Sequence, residues 1–343
     1  MTTPGSTTYW DYLRLLDLLE LQGGTEGDDA KLSEDELHFI VVHQVFELWL
    51  KLVLRELRLA RDGLAAEWVP ERHLPHIVRH LRRVIEIFKL SIDSFGVLET
   101  LTPQDFLAFR KKLGQSSGFQ SFQTRQMELL LGWQFWPRAV DPVAEIKAAA
   151  GATPRGSAIV AALEEARSEM SLRDALMYWL ARTPIQGSFP KDEADAAAVD
   201  RFVAEYGEAL HDYDPSLSDE FRQFTTSENR QVQRAHVGIL FIESYRDLPL
   251  LSWPYVLIET VVEMEEQLVL WRTRHARMVE RMIGRRSGTG GSTGFAYLDA
   301  TTQHRIFGEF WTVRTLLLPR DRVPPLRGEP LYLLTAGASP EMK

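Results

Sequence analysis

Two histidines lie on apolar helical faces, where an imidazole can hydrogen-bond a small molecule or bind a metal. The first, His43, falls in a nearly continuous apolar run over 37–53, and Glu47 and Lys51 follow it at i+4 and i+8 on one stripe. So apolar a helix is expected to be central in the fold, and ionisable groups buried in it need partners. The stripe therefore predicts either a hydrogen-bonded network that fixes packing or a pocket wall into which His43 points.

The second histidine, His275, shares a helical face with five apolar residues. They are Leu268, Trp271, Met278, Val279 and Met282. A lone histidine in this setting is either a hydrogen-bonded core residue or an axial heme ligand, because heme needs one imidazole in an apolar slot. Arg272 is close enough in sequence to pair with the heme propionates. The chain has no cysteine, which excludes thiolate-ligated heme, iron–sulfur clusters, zinc–thiolate sites and disulfides.

Two further features could contact a small molecule. Arg110 ends a helix opened by Thr102 and Pro103, beside aromatic residues, so it is either a solvated helix-end cation or a fork for a carboxylate. A glycine-rich stretch at 288–294 lacks the GK[ST] ending of a P-loop. It is either a surface loop or a loop that closes over a ligand while Thr289 supplies a hydroxyl.

The elements that must position these residues are predicted to be helices, because apolar residues recur at helical spacing and alternating strand-like runs are scarce. The predicted fold is an all-α helical bundle. The predicted helices are 9–21, 33–63, 70–94, 103–113, 119–132, 155–168, 171–183, 193–210, 228–245, 254–284 and 303–318. A capping box of Ser33 and Glu36 opens the second, and Gly284 with Gly288 ends the long one near 284.

One domain over residues 1–343 is expected, because no internal repeat or long linker interrupts the pattern. Within it, residues 137–225 read as a helical insertion, because they are rich in alanine and punctuated by proline and glycine. Residues 320–343 read as a tail on the surface.

The composition of the chain limits the kinds of partner and the cellular locations that are expected. The 343 residues carry 48 Asp and Glu against 39 Lys and Arg, which disfavours nucleic acid as a partner. The polar first residues do not read as a secretory signal, and charged residues interrupt the most apolar stretches, so neither export nor a membrane span is expected. The predicted location is the cytoplasm.

Five blocks of residues together resemble the tryptophan 2,3-dioxygenase family. They begin with Tyr9-Trp10-Asp11-Tyr12-Leu13, continue with Phe39 to Lys51 around His43-Gln44, and then run from Phe109-Arg110 to Ser121. They resume at Trp271-Arg272 with Arg274-His275 and at Gly288 to Ser292. The blocks occur in the order that the family has, whereas the middle of the chain, 137–245, matches only loosely.

The resemblance implies a heme b enclosed between the central helices, with His275 as its axial ligand and His43 on the opposite, oxygen-binding face. It implies that Ser117, Trp271 and Arg272 line the cofactor pocket. It also implies that Arg110 pairs with the substrate carboxylate, that Thr289 contacts the ammonium and carboxylate, and that Phe39 and Phe106 pack against the indole.

Family members are homotetramers in which the N-terminal segment, here 1–22, crosses to a neighbouring subunit. Tyr9, Tyr12 and Leu13 would then complete the neighbour's pocket. The implied reaction inserts O2 across the indole C2–C3 bond of L-tryptophan and gives N-formylkynurenine, the first step of the kynurenine pathway.

Two other functions compete with this interpretation. A related heme oxygenase could insert one oxygen atom into tryptophan or a modified tryptophan. A heme or aromatic-ligand sensor without turnover is disfavoured, because it has no need of the amino-acid contacts that His43, Arg110 and Thr289 offer together.

Overall fold

Helices form nearly all the regular structure in the computed structural model, which describes residues 7–114, 116–133, 142–151, 153–287 and 294–333. Within these ranges there is no β-strand, only an isolated bridge between Ile185 and Ser188, so the all-α prediction is confirmed. The α-helices are α1 (Tyr9–Leu13), α2 (Leu15–Leu19), α3 (Glu34–Ala65), α4 (Leu74–Leu98), α5 (Pro103–Arg110), α6 (Phe122–Leu131), α7 (Pro142–Ala150), α8 (Pro154–Ser168), α9 (Leu172–Leu180), α10 (Asp195–Tyr213), α11 (Ser218–Thr225), α12 (Arg230–Ser244), α13 (Pro249–Ile283), α14 (Phe295–Thr301) and α15 (Gly308–Thr315).

The three longest helices, α3, α4 and α13, form the centre, with α4 packed against both of the others. Their apolar residues recur every three or four positions and so line one face of each helix. The fully or nearly fully buried members include Leu57, Leu64, Leu81, Ile85, Leu257 and Val261. Burial of this shared face stabilises the frame on which the candidate site residues are held.

Helix α3 begins after Ser33, as the predicted capping box requires, but the Glu36 side chain has a partner outside the capping box. The Ser33 hydroxyl accepts a hydrogen bond from the backbone N–H of Glu36 at 3.2 Å. The buried Glu36 carboxylate accepts from the Lys112 ammonium at 2.9 Å, so it serves a tertiary ion pair as well as standing at the capping position.

Helix α3 is central, as its apolar sequence predicts, but it is not buried on all sides. Its inner face packs in the fold, but Val41, Val45 and Leu48 are 40%, 37% and 49% exposed, and Lys51 points into solvent. Helix α3 is also long and apolar enough to cross a membrane by length and composition alone, a property that core helices of soluble proteins share. An exposed apolar stripe is typical of a contact surface.

Helix α13 begins earlier than predicted, at Pro249 rather than at Pro254. Proline is favoured in the first turn, where no N–H is needed for the helix, and Pro254 is accommodated one turn later, inside the helix. The helix ends at Ile283, because Gly284 adopts a positive φ of 58°. Gly288 lies outside the described residues.

Several shorter elements also differ from prediction. Residues 9–21 form two short helices, because Arg14 adopts a left-handed conformation between them. The predicted helix over 303–318 begins only at Gly308. Helices α7, α11 and α14 were not predicted.

The middle of the chain and the tail both reach the main core. Phe202 and Tyr206 of α10 are fully buried there. The tail is described as far as Leu333, and most of it is exposed, but Tyr332 is fully buried. The Tyr332 hydroxyl donates to the Pro184 carbonyl at 2.9 Å and accepts from the Gly187 N–H at 3.0 Å, which fixes this part of the tail to the core.

Candidate active site

A cavity of about 680 Å³ lies among α3, α5, α6, α13 and α14. Its walls are mainly apolar and aromatic, and a few polar side chains converge on it. Sites for small molecules and cofactors usually have this make-up and a volume of about 300–1,000 Å³. The positions of His43 and His275 show that both predicted histidines line this one cavity.

His275 lies on α13 and packs against two aromatic rings that also contact each other. The Phe95 ring stacks on the imidazole with a centroid distance of 5.6 Å and an interplanar angle of 6°, and the Trp271 ring is tilted against it at 5.4 Å. Burial lowers the pKa of His275 to about 4, and the electrostatic effects of the nearby His43 and Arg125 act in the same direction. The imidazole is therefore neutral near pH 7, which is the form that binds a metal.

Three charged residues are buried together in the cavity wall: Arg125 and Glu128 on α6, and Arg272 on α13. Arg125 Nη1 lies 2.8 Å from Glu128 Oε2. Burial raises the pKa of Glu128 against the opposing effect of both arginines, and it lowers the pKa of Arg272 to about 10. Two guanidinium groups and one carboxylate leave a net positive charge in this wall.

Arg272 is held flat over the ring of Trp133, with its Cζ 3.9 Å from the ring centroid. Its side chain is almost completely buried, yet its Nη2 atom has no hydrogen-bond partner among the described residues. A buried guanidinium nitrogen without a partner is costly. The wall at Arg272 is therefore suited to an anionic group supplied from the cavity.

His43 lies on α3, and its ring orientation is set by the helix itself. Its Nδ1 atom donates to the Phe39 carbonyl at 2.7 Å, which leaves Nε2 as the acceptor of the neutral imidazole. Burial lowers the pKa of His43, while the bond to Phe39 and the charge of Glu47 partly oppose that shift. Gln123 of α6 donates to both the side chain and the backbone carbonyl of Glu47, each at 2.8 Å, and so ties α6 to this wall.

Arg110 lies at the end of α5, half-buried on the cavity wall. Its Nη2 donates to the Ser287 carbonyl at 2.6 Å, and among the described residues this carbonyl is its partner. The rings of Phe39 and Phe106 meet at 5.7 Å beside it. A guanidinium thus borders an aromatic slot, an arrangement that can bind an aromatic molecule carrying a carboxylate.

Comparison with known proteins agrees with this arrangement. Residues 2–317 match the family model of tryptophan 2,3-dioxygenase. The chain belongs to the tryptophan 2,3-dioxygenase family. It is 42% identical to tryptophan 2,3-dioxygenase 2 of Ralstonia nicotianae, over 93% of this chain and 95% of that protein. It is 41% identical to the tryptophan 2,3-dioxygenase of Sorangium cellulosum, over 93% of this chain and 85% of that protein. It is 34% identical to the tryptophan 2,3-dioxygenase of Bdellovibrio bacteriovorus, over 93% of this chain and 95% of that protein.

In this member of the tryptophan 2,3-dioxygenase family, most of the residues singled out from the sequence meet in the cavity. Those that line it are Phe39, His43, Phe106, Arg110, Ser117, Trp271, Arg272 and His275. The Ser117 hydroxyl also accepts from the Phe119 N–H at 3.2 Å and caps the short turn that follows. Thr289 lies outside the described residues.

The three N-terminal residues do not reach the cavity of their own chain. Tyr9 and Tyr12 are 70% and 80% exposed, and Leu13 is exposed as well. They belong to an N-terminal arm, residues 9–21, in which neither short helix has a buried residue.

Sequence reasoning missed the buried pair of Arg125 and Glu128. A signal was present, because these charges lie at i and i+3 among apolar residues in a helix that was predicted at 119–132. The role of Gln123 as the partner of Glu47 was missed as well, since no local pattern joins residues that are 76 positions apart.

Proposed function

We propose that this oxidoreductase is a heme-dependent dioxygenase that cleaves the indole C2–C3 bond of L-tryptophan with O2 to give N-formylkynurenine, the first step of the kynurenine pathway. The observation that supports it most is the convergence of His275, His43, Arg110 and the two phenylalanine rings on one cavity in a chain of this family. Each of these groups suits one part of the cofactor or of the substrate.

The residues present fit heme b. His275 offers a neutral imidazole stacked on the Phe95 ring, and it would bind the heme iron. The orphaned Nη2 of Arg272 and the net positive charge beside it would hold a propionate. Ser117 and Trp271 would border the cofactor. Ferrous heme bound there would supply the redox chemistry with dioxygen.

The remaining steps belong to the side chains of this chain. Neutral His43 presents Nε2 as an acceptor, so it can hold the indole N–H and orient the ring. Indole is too weak an acid for a histidine to deprotonate easily, so we assign His43 a positioning role in catalysis rather than that of an obligatory base. Phe39 and Phe106 pack against the indole and exclude water.

Arg110 recognises the carboxylate of the amino acid through two parallel hydrogen bonds. Its present partner, the Ser287 carbonyl, lies directly before the stretch that carries Thr289. Thr289 is only two residues beyond Ser287 in the sequence, which supports the role proposed for Thr289 in contacting the ammonium and carboxylate.

The exposed arm supports a homotetramer in which Tyr9, Tyr12 and Leu13 enter the pocket of a neighbouring subunit. Large apolar side chains are rarely left in solvent in such numbers without a partner. Location in the cytoplasm, independence from membranes and nucleic acid, and a single domain with an insertion at 137–225 stay predictions from the sequence.

The decisive experiment supplies L-tryptophan and isotopically labelled dioxygen to the anaerobically reduced, heme-loaded protein and measures the product mass. Incorporation of two labelled atoms supports the dioxygenase. One labelled atom supports the oxygenase that inserts a single atom, and a heme-loaded protein that incorporates none contradicts the proposal.

A further inference from the structure

The N-terminal arm is apolar, exposed and joined to its own subunit over a very short stretch. Its exposed large apolar residues are Tyr9, Trp10, Tyr12, Leu13, Leu16, Leu18, Leu19 and Leu21. Gln22 is half-buried and Gly23 is buried, so the chain first enters the fold at these two residues. Whatever orients the arm must therefore act at this junction.

The junction is built around two glutamine side chains. Gln44 of α3 donates from Nε2 to the Leu21 carbonyl at 2.9 Å, and its Oε1 accepts from Gln22 Nε2 at 2.8 Å. Gln22 Nε2 also donates to the Leu18 carbonyl at 2.9 Å, inside the arm. The two amides thus link the last turn of the arm to one residue of α3.

The backbone after Gln22 also packs closely against α3. A Cβ atom on Gly23 would collide with the backbone of Asp28, and Gly24 has a positive φ of 56° with the Ile40 side chain directly beside it. Only glycine meets both conditions without strain. Ile40 and Gln44 both line the candidate active-site cavity, and they flank His43 on α3.

We propose that Gln22 and Gln44 are positioning residues that set the direction of the arm from the wall of its own subunit's cavity, so that one subunit orients the residues that complete the cavity of the next. This rests on the proposed function in one respect, the entry of the arm into a neighbouring cavity. A change at the Ile40 and Gln44 wall of one subunit then reaches its neighbour through the arm rather than through the core.

The first test measures hydrogen–deuterium exchange of the arm in the full-length heme-loaded oligomer, and it needs no turnover. Gln22→Ala and Gln44→Ala should each raise exchange of the arm amides by about 5- to 30-fold, the equivalent of one or two hydrogen bonds. The double variant should show an increase smaller than the product of the two single increases, because the bond between Gln22 and Gln44 is lost in both single variants. Gln120→Ala is the matched control, since Gln120 lines the same cavity and its side chain makes no bond to the arm among the described residues. Unchanged exchange in both single variants overturns the proposal, whether or not the protein oxidises tryptophan.

The second test separates an effect on the neighbour from an effect within one subunit. Gln22→Ala, which alters no residue of the cavity, should weaken tryptophan binding by about 5-fold, the equivalent of one hydrogen bond and less than the loss of the end of the arm. Co-expression with Arg110→Ala subunits, whose arms are intact but whose cavities bind poorly, should restore normal affinity in the Gln22→Ala cavities of the mixed oligomers. Gln44→Ala should be rescued in the same way. Failure of Arg110→Ala subunits to rescue either variant would show that the glutamines act in their own cavity, and the proposal would be wrong.

Discussion

The two sides of the cavity differ in how completely one chain builds them. On the α13 side, His275 is stacked on Phe95 and packs against the tilted Trp271, and Arg272 lies over the ring of Trp133 beside a buried ion pair. On the α3 side, the outer face of the helix is apolar and exposed, and the arm attached to it has no buried residue. From this difference we expect that a single subunit can hold the proposed cofactor, whereas the substrate side needs the proposed second subunit.

The largest effect should come from the α13 side. We expect His275→Ala to abolish stable heme retention, or to replace the absorption spectrum of an imidazole-ligated heme completely, because no other side chain takes the proposed role of axial ligand. Absorption spectra and heme content of the purified protein measure it. His236→Ala is the control, since His236 is half-buried and hydrogen-bonded to the Phe224 carbonyl but does not line this cavity. A folded His275→Ala protein with an unchanged ferrous spectrum would refute the assignment.

Arg110→Ala should give the next largest effect, and only on the substrate side. Removing one partner of a buried guanidinium–carboxylate pair costs about 2–5 kcal/mol, which is about 30-fold to several-thousand-fold in tryptophan affinity. Heme content should not change. The control ligand is an indole analogue without a carboxylate, which should bind the parent protein weakly and be nearly indifferent to the substitution. If tryptophan and the analogue weaken equally, Arg110 supports the fold or the heme instead.

Acid should weaken the heme-free α13 side through His275. Its pKa in the fold is about 4, below the ordinary value of 6.5, so between these values the unfolded chain takes up a proton that the folded chain does not. The free energy of unfolding should therefore fall as the pH drops from about 7 to about 5, by about 1–2 kcal/mol for this group. Urea unfolding of the apoprotein at both pH values measures the fall, and His275→Gln should show a correspondingly smaller one. Equal falls in the two proteins would contradict the burial of this imidazole.

Deletion of residues 1–14 should have the smallest effect of the four. Tyr9 and Tyr12 are exposed in their own chain, so their loss should spare heme retention. If they complete a neighbouring cavity, tryptophan affinity should fall about tenfold, as expected for the loss of one buried aromatic contact of about 1.5 kcal/mol. Equilibrium titration and analytical ultracentrifugation measure affinity and assembly together. A fully active monomer would contradict the proposal that a neighbouring subunit completes the substrate side of the cavity.

The sequence predicts the long helices best. Periodic apolar residues over many turns locate α4 and α13 because a long amphipathic face has few alternative structures. The break at Arg14 was not predicted, because the apolar pattern continues on both sides of that residue. The break comes from the left-handed backbone conformation of Arg14. The exposed side of α3 was not predicted either, because an apolar residue in the sequence does not show whether its partner lies in the same chain or in another.

For the site, spacing singled out His43, Arg110 and His275 as candidates, and the family resemblance gave each of them a role. The structure brings all three together at one cavity. Of the charged wall formed by Arg125, Glu128 and Arg272, the sequence singled out only Arg272. Its partners lie on a different helix, and such tertiary pairs are set by packing rather than by local sequence.

Tyr332 carries a consequence for synthesis of the chain. Its ring packs against Phe241, and its hydroxyl bonds to the Pro184 carbonyl, which lies 148 residues earlier. Domains tend to fold as their segments leave the ribosome. This part of the core, however, cannot close until Tyr332 has been made, so we expect the nascent chain to expose apolar surface beside Phe241 until then. A chain that ends before Tyr332 therefore lacks these contacts, and we expect it to be a substrate for chaperones and proteases.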